Sequence, residues 1–527
     1  MNTSPDPARP RTASQQAPAT GPTAVTTGPT AVTTGPTTAT TGTERWSAAE
    51  LRRLTALIWP GQLLVVAGIV AANAQPQIAQ HFHTTRIAWF GLAFTLATIV
   101  ATPFAVRLGD TYGKRRVMLV LAAAGLVGDM ITVLAPSYPA MVAGRVIGGL
   151  YGPVAVLVLA AVRDLFPPRK VAVALGTVAG SVGVLALLTP LLSGWLLDAF
   201  GWRGALWFLV GSTVVAIAML LCVPETPRRA AVGRLDWPGA CLLGGGLALV
   251  VFALGQGRDW GWTSAGVVGP LAGGAAALAV FAVLELKVAA PILDLRMLGR
   301  RPVATVLIGS SVPQAAYFAS QTILIFLALF PAIPHVSDGL GWTTTHNAVV
   351  GIPAGLVTFA AGVAVGNAVR KVSPRTVWYL GLVILTAGMV LAAFLHRDAT
   401  EIIVTGVVMG LGGGILMSGQ QAMIVSVVSP EEQAAANGMS SLLTQVFLTL
   451  TSQLLFTVLA ADSTVVQGTA FYQDRAFTHG YLAMAAVVTV GLLVSLAIPR
   501  LRRPSETAQA DPDAQAAPAP APAAPAA

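Results

Sequence analysis

Two charged side chains lie inside long apolar stretches of this sequence, and they are the residues best placed to do chemistry there. Asp129 stands in GLVGDMITVLA (residues 125–135) with no charged neighbour within twelve positions, and Arg145 lies in the next apolar stretch. A charge at the centre of a bilayer costs at least ~2.5 to 3.5 kcal/mol, so such residues usually face a partner or a water-filled cavity. Asp129 therefore needs either a partner or a function.

The depth of these two residues predicts that they can meet. Asp129 comes seven residues before Pro136 and Arg145 five residues after Ala140, which sets both about 8 to 10 Å from the same membrane face at ~1.5 Å per residue. One interpretation is a fixed ion pair that orients two antiparallel helices. The other is a proton switch, in which burial favours the neutral acid, Arg145 favours the carboxylate, and a conformational change tips the balance.

The elements that carry these residues are membrane-spanning helices. Of the 527 residues, 55% are hydrophobic and only 10% are charged, and the mean hydropathy of +0.72 excludes a soluble globular domain. Fourteen stretches reach the length of about 20 apolar residues that crosses a bilayer as a helix. We therefore predict an all-α polytopic membrane protein, monomeric and embedded in the lipid bilayer. The net charge of +9 does not indicate nucleic acid, because the basic residues fall in short clusters between apolar stretches.

Those clusters predict the orientation of the chain. One set of alternating loops holds 17 Lys and Arg residues, and the opposite set holds five. Because positively charged loops stay in the cytoplasm, we expect both termini there, in a multi-pass protein of the inner or plasma membrane. Residues 1–50, which repeat TGPTAVT, and residues 501–527, which are rich in Ala and Pro, are predicted to be disordered and cytoplasmic.

An internal repeat divides the apolar region into two halves. FPPRKVAVALG (166–176) and VSPEEQAAANG (428–438) share a proline, two alanines and a glycine, 262 residues apart; the pairs are Pro168/Pro430, Ala172/Ala434, Ala174/Ala436 and Gly176/Gly438. We predict a six-helix half over 51–224, an inserted helix pair with its loops over 225–301, and a second six-helix half over 302–500. Repeated halves around a central site are typical of transporters that work by alternating access.

The loop after the second span carries a family resemblance. RLGDTYGKRRV (107–117) resembles the loop signature of the major facilitator superfamily, Gly-x-Leu-Ala-Asp-Arg-x-Gly-Arg-Lys. Asp110, Gly113, Lys114 and Arg115 fit the signature, whereas Val106 stands where its first glycine belongs. The resemblance implies the major facilitator fold, and it implies a cytoplasmic gate loop that latches one half against the other. The simpler alternative is a loop that only sets topology.

Further stretches resemble the fourteen-spanner drug:proton antiporter branch of that superfamily. Arg145 and Gly149 match an Arg-x-x-x-Gly pattern in span 4. Gly176, Pro190 and Gly194 match the antiporter motif of span 5, whose Gly-Pro-x-x-Gly-Gly core is altered at positions 189 and 193, and the loop at 285–298 resembles the one this branch carries before its ninth helix. By this resemblance the protein exports small amphipathic compounds, such as drugs, antibiotics or metabolites, in exchange for protons.

One departure concerns the coupling ion. The branch places an Asp in span 1, but VAGIVAANAQP (66–76) has Ala67 at that position. The expected proton carrier is missing, so either the coupling ion differs or its site lies elsewhere. An uncoupled facilitator, or an exporter of one specific metabolite, is therefore the alternative hypothesis.

Uncharged polar and aromatic side chains within spans are the candidate substrate contacts, because they suit an amphipathic ligand in a largely apolar cavity. Each could instead be a hydrogen bond between helices. They are Asn73, Gln75, Gln314, Tyr317, Gln321, Gln420 and Gln445. The sequence contains no catalytic motif that would indicate an enzyme. We also expect no cofactor, metal or disulfide, since Cys222 and Cys241 lie in apolar segments without paired ligands.

Overall fold

A computed structural model describes residues 46–228, 236–288, 295–368, 372–429 and 432–497. The chain separates into two compact units, Met1–Ser47 and Ala48–Ala527, and only residues 46 and 47 of the first unit are described. Most of the segment predicted as a leader, and all of the predicted tail, therefore lie outside the described residues. The first helix begins at Ala48, two residues before the predicted end of the leader.

The described residues are almost entirely helical, which confirms the all-α prediction. In the first half the helices are α1 (Ala48–His81), α2 (Ala88–Tyr112), α3 (Lys114–Leu134), α4 (Tyr138–Gly148), α5 (Val154–Leu165) and α6 (Pro168–Leu221). The middle contains α7 (Trp237–Trp260), α8 (Ala265–Glu285) and the short α9 (Leu295–Leu298). The second half contains α10 (Arg301–Leu329), α11 (Thr344–Val350), α12 (Ile352–Ala368), α13 (Pro374–Phe394), α14 (Ala399–Val425), α15 (Gln433–Ala461) and α16 (Asp474–Leu496).

Thirteen of these helical segments are long and apolar enough to cross a membrane among the residues described. One of them, Arg169–Leu221, has 53 residues, more than twice the ~20 that one crossing needs. It bends at Gly201, whose φ of 66° and ψ of −175° are not helical and favour glycine because a Cβ would clash there. The two arms, 168–200 and 202–221, correspond to predicted spans 5 and 6, so the count becomes the fourteen that the sequence predicts.

Glycines allow close helix crossings in each half. In the first half, a Cβ added to Gly128 of α3 would clash with the backbone nitrogen of Gly148 in α4. In the second half, a Cβ on Gly412 of α14 would lie 2.6 Å from the backbone nitrogen of Leu385 in α13. Small residues let helix backbones approach in a membrane, where packing rather than water exclusion holds helices together.

The inserted helices α7 and α8 pack against each other, and α7 also contacts one helix from each half. On one side a Cβ at Gly244 would clash with Val100 of α2. On the other side Thr457 Oγ1 of α15 donates to the Leu254 carbonyl at 3.3 Å. The inserted pair is therefore tied to both halves of the protein.

The described strands form two small antiparallel hairpins. They are β1 (Ala332–Ile333) with β2 (Ser337–Asp338), and β3 (Ser463–Val466) with β4 (Thr469–Tyr472). Both hairpins connect helices at the end of the bundle that also holds the bend at Gly201, because successive spans alternate in direction. We call this the Gly201 end, and we call the opposite end, where Gly113 joins α2 to α3, the basic end.

Candidate functional site

Asp129 of α3 is buried at a junction of three helices, with 3% of its surface exposed. Its Oδ2 accepts a hydrogen bond of 3.1 Å from Thr213 Oγ1 in the second arm of α6. Its Oδ1 faces α4, where a Cβ added to Gly148 would lie 3.6 Å away. The glycine at 148 therefore leaves room for the carboxylate between α3, α4 and α6.

Arg145 of α4 is equally buried, with 2% exposed, but its side chain lies against α2. Its Nε donates to the Phe90 carbonyl at 3.1 Å, and the guanidinium carbon lies 4.8 Å and 4.4 Å from the ring centres of Phe90 and Phe94. Such cation–π contacts offset part of the cost of burying the charge. Within the described residues, Arg145 Nη1 has no hydrogen-bond partner.

The two charges thus lie on neighbouring helices, as the depth argument predicts, but they point to different partners. Among the described residues Asp129 forms no direct ion pair with Arg145; it bonds to Thr213 instead. The alternative of a fixed ion pair is not the arrangement in this conformation. Chemically, the junction offers a carboxylate held by one hydroxyl and a nearby cation with an unused N–H donor.

The predicted gate loop is a single residue between α2 and α3. Gly113 has a φ of 98°, which favours glycine, and its N–H donates to the Gly109 carbonyl at 3.1 Å. The ammonium of Lys114 is buried and lies 3.0 Å from Asp110 Oδ1 and 2.5 Å from Asp164 Oδ2. Lys114 therefore joins the end of α2 to the end of α5.

The same loop docks on the segment that follows α6. Thr226 Oγ1 accepts from the Lys114 N–H at 2.9 Å, and Glu225 Oε1 accepts from the Arg115 N–H at 3.1 Å. A Cβ added to Gly113 would lie 2.5 Å from Glu225 Oε1, so only glycine fits beneath that carboxylate. None of these contacts involves a residue of the second half, so in this conformation the loop braces α2, α5 and the segment after α6 against one another rather than latching the two halves together.

The residues of the antiporter motif lie along the first arm of α6, and one of them, Gly194, lies at the contact between the halves. A Cβ at Gly194 would lie 2.9 Å from the Cα of Thr345 at the start of α11. One turn later, Asp198 accepts hydrogen bonds from the Thr344 N–H at 2.9 Å and the Thr345 N–H at 2.8 Å. Pro190 lies in the same arm, and Gly176 lies near its other end.

The contact along this arm ends midway, so the two halves separate towards the basic end. A Cβ at Gly355 of α12 would touch Leu187 at 3.3 Å, and a Cβ at Gly183 would touch Phe359 at 3.7 Å. Beyond that point no atom of the described residues lies within 4 Å of a Cβ placed at Gly176. The same is true of Gly438, its repeat partner in α15, when only the described residues are considered.

The hairpin of β3 and β4 reinforces closure at the Gly201 end. Thr469 Oγ1 donates to the Ala79 carbonyl of α1 at 3.3 Å, and a Cβ on Gly468 would lie 2.7 Å from the carbonyl oxygen of His83. This hairpin belongs to the second half and the residues it touches belong to the first. These contacts close the Gly201 end, whereas Gly176 and Gly438, towards the basic end, have open space around them within the described residues.

Three of the predicted substrate contacts come together in the second half. Gln314 of α10, Gln420 of α14 and Gln445 of α15 line one pocket of about 300 Å³. The other residues that line it are Phe318, Gln421, Asn437, Ser440, Ser441, Thr444 and Leu448. Gln420 also bridges helices, since its Nε2 donates to Ser310 Oγ at 3.1 Å and to Ser440 Oγ at 2.6 Å.

The other four predicted contacts do not line this pocket. Asn73 Nδ2 donates to Ser193 Oγ at 2.7 Å, which ties α1 to α6, and Gln75 is buried beside Gly91 of α2. Tyr317 packs on Gly413, where a Cβ would lie 2.5 Å from its Cζ. Gln321 is exposed. A larger groove of about 550 Å³ lies along α3, but every side chain that lines it is apolar, so it offers no chemistry.

Comparison with known proteins agrees with this geometry. The model of the Major Facilitator Superfamily matches residues 61–329 and 314–525. The "Probable actinorhodin transporter" of Streptomyces coelicolor is 29% identical over 73% of this chain and 66% of its own length, just under two thirds. The "Tetracenomycin C resistance and export protein" of Streptomyces glaucescens is 27% identical over 76% of each chain. The "Multidrug resistance protein B homolog" of Mycobacterium tuberculosis is 29% identical over 72% and 70%.

Solved structures show the same fold at low sequence identity. The human organic anion transporter MFSD10 (TETRAN) has a TM-score of 0.57 at 15% identity, covering 86% of this chain and 100% of that one. A D-xylose-proton symporter has a TM-score of 0.59 at 14% identity, covering 85% and 98%.

Proposed function

This chain belongs to the major facilitator superfamily and is a membrane transporter rather than an enzyme, and we propose that it exports small amphipathic compounds in exchange for protons. Its substrates would be drugs, antibiotics or metabolites. The names of three relatives, which concern actinorhodin, tetracenomycin C and multidrug resistance, support export. The carboxylate of Asp129, which is buried and accepts a hydrogen bond from one hydroxyl without a direct ion pair among the described residues, is the observation that supports proton coupling.

The proposed coupling step is a change of charge at Asp129. Burying an unpaired carboxylate costs several kcal/mol, and the single hydroxyl of Thr213 compensates for only part of that. A neutral acid is tolerated where Asp129 now lies, whereas an ionised one is drawn towards the unused donor of Arg145. Because Asp129 is held by α3, α4 and α6 together, such a movement would alter how these helices pack, which couples protonation to conformation.

The open space towards the basic end suits entry of a substrate from that side. If the basic end faces the cytoplasm, as the distribution of Lys and Arg indicates, then this conformation opens inward. A cytoplasmic compound could then enter between the glycines at 176 and 438, which have open space around them within the described part of the chain. In the opposite conformation the contacts of Asp198 with the start of α11 would have to break. On this basis we place the protein in the plasma membrane with both termini inside.

An uncoupled facilitator is the competing function, and Ala67 is the observation that favours it. This residue is 1% exposed and stands where related antiporters have an acid, so span 1 cannot carry the proton. The two functions differ in energetics, because a facilitator only equilibrates its substrate whereas an antiporter moves it against a gradient.

A pH jump in proteoliposomes distinguishes these two functions. Purified protein is reconstituted with equal substrate on both sides, and an inside-acidic or inside-alkaline gradient is then imposed. We expect the substrate to accumulate on the acidic side, since protons and substrate move in opposite directions, and the effect should reverse with the gradient and vanish with a protonophore. Equal concentrations at all times, with rapid exchange of labelled substrate, would establish a facilitator and contradict proton antiport.

A further inference from the structure

The pocket between α10, α14 and α15 has a composition that restricts its ligand. Five of the ten side chains that line it in the described part of the chain are amides and three are hydroxyls. From this we propose that the pocket binds the polar face of a neutral, hydroxyl-bearing amphipathic compound and discriminates against permanent cations. This inference rests on the proposed export function and specifies its substrate class.

The pocket discriminates against cations because none of these lining residues is charged. Moving a cation from water into such a pocket costs free energy that amide dipoles repay only in part. No carboxylate is among the described residues that line it. A neutral ligand with hydroxyl and carbonyl groups exchanges its hydrogen bonds to water for bonds to the amides at little net cost. Phe318 and Leu448 also line the pocket and add apolar surface, which suits an aromatic or alicyclic skeleton.

The hydrogen bonds already made inside the pocket leave acceptors for the ligand. Both N–H groups of Gln420 are used by Ser310 and Ser440, so the group that Gln420 can offer a ligand is its carbonyl oxygen. Asn437 Oδ1 is buried and has no hydrogen-bond partner among the described residues. Two amide oxygens that need donors favour a ligand that carries O–H groups rather than one that carries only ether or carbonyl oxygens.

The internal repeat indicates what faces the rest of the ligand. Four polar residues of α15 that line the pocket correspond, through the 262-residue repeat, to apolar residues in the first arm of α6. The pairs are Ser440/Val178, Ser441/Ala179, Thr444/Val182 and Gln445/Gly183. Ala179 is exposed and Val182 is 38% exposed. The repeat thus pairs hydrogen-bonding positions in the second half with apolar positions in the first, a difference that suits a ligand with two unlike faces.

Equilibrium binding of three matched fluorescent probes to the purified full-length protein tests the proposal. The probes are a dihydroxynaphthalene, its dimethyl ether and a naphthyltrimethylammonium ion, which share one ring system. We expect the dihydroxynaphthalene to bind at least tenfold more tightly than either of the others. In Gln445→Leu and Gln314→Leu its affinity should fall roughly three- to tenfold for each hydrogen bond lost.

Matched variants separate the pocket from general effects on folding. Gln321→Leu changes an exposed glutamine of the same helix α10 that does not line the pocket, and it should leave all three affinities unchanged. Gln445→Glu adds the missing carboxylate and should raise affinity for the naphthyltrimethylammonium ion. Three results would overturn the proposal. The wild type could bind the cation more tightly than the dihydroxynaphthalene, or it could fail to bind the dihydroxynaphthalene at about millimolar concentration. The third is a loss of dihydroxynaphthalene affinity in Gln321→Leu as large as that in the pocket variants.

Transport of the same probes keeps this inference distinct from the export function. If the wild-type protein transports the cation against its gradient under a pH gradient but does not transport the dihydroxynaphthalene, the proposed export function is supported and the proposed substrate class is wrong. If the binding preference holds but no probe moves against its gradient, the substrate class stands and proton-driven export is wrong.

Discussion

Lys114 is the residue of the gate loop whose replacement should cost the most stability. Its ammonium is paired with Asp110 and Asp164, yet these two carboxylates differ in exposure. The side chain of Asp110 is 39% exposed and that of Asp164 only 7%. We expect Lys114→Met to destabilise the protein mainly because it leaves Asp164 buried beside an uncharged neighbour.

The size of the effect follows from these environments. Removing one partner of a buried ion pair costs about 3 to 5 kcal/mol, whereas an exposed pair contributes about 0.2 to 1 kcal/mol. Asp164 keeps a further interaction, so the larger figure is an upper bound for Lys114→Met. Asp110→Asn, which removes only the exposed partner, should cost less than about 1 kcal/mol by the same reasoning.

Unfolding in mixed micelles with rising SDS measures both variants against the wild type. The double variant Lys114→Met with Asp164→Asn removes the stranded charge and should recover much of the stability lost in Lys114→Met. Equal and small losses in Lys114→Met and Asp110→Asn would refute the argument from burial. So would a double variant that is less stable than Lys114→Met alone.

Two further predictions concern the contacts that close the Gly201 end and the orientation of the chain in the membrane. Asp198→Asn keeps one acceptor oxygen but removes the charge, so it should shift the population towards opening at the Gly201 end by roughly fivefold. A spin-label distance across that end should lengthen, and an unchanged distance would contradict a role of Asp198 in closing it. In a variant without native cysteines, His335→Cys should react with an external impermeant maleimide and Val372→Cys should not. His335 is exposed in the loop that joins β1 to β2, at the Gly201 end. Val372 is 40% exposed and lies at the basic end. Reversed labelling would overturn the orientation.

Composition was sufficient to predict the class of fold, for a physical reason. A bilayer admits backbone only when its hydrogen bonds are satisfied internally, so long apolar stretches must be helices. Sequence alone could not show that Gly201 is the one non-helical residue between spans 5 and 6. A glycine that follows an apolar run predicts a break, but it does not tell a tight bend from a longer loop.

The sequence singles out candidate residues for the site, but it does not predict their contacts. Asp129 stood out because an acid in an apolar stretch is expensive, but its partner Thr213 is 84 positions away and a lone threonine carries no signal. Equal depth correctly placed Arg145 on the neighbouring helix, yet depth cannot determine the direction in which a long side chain points. Glu225 was missed for a similar reason, since its contact with the loop at Gly113 depends on how α6 ends.

Replacement of Asp129 by Asn tests the central claim most directly, because Asn keeps the shape and an acceptor for Thr213 but cannot titrate. The measurement compares two rates in the same proteoliposomes, namely uphill transport driven by a pH gradient and downhill exchange of labelled substrate. Thr213→Val serves as the control, since it removes the hydrogen bond but keeps the acid, and it should retain pH-driven transport. We predict that Asp129→Asn abolishes uphill transport and preserves exchange. Uphill transport at the wild-type rate in Asp129→Asn would contradict proton coupling at this residue.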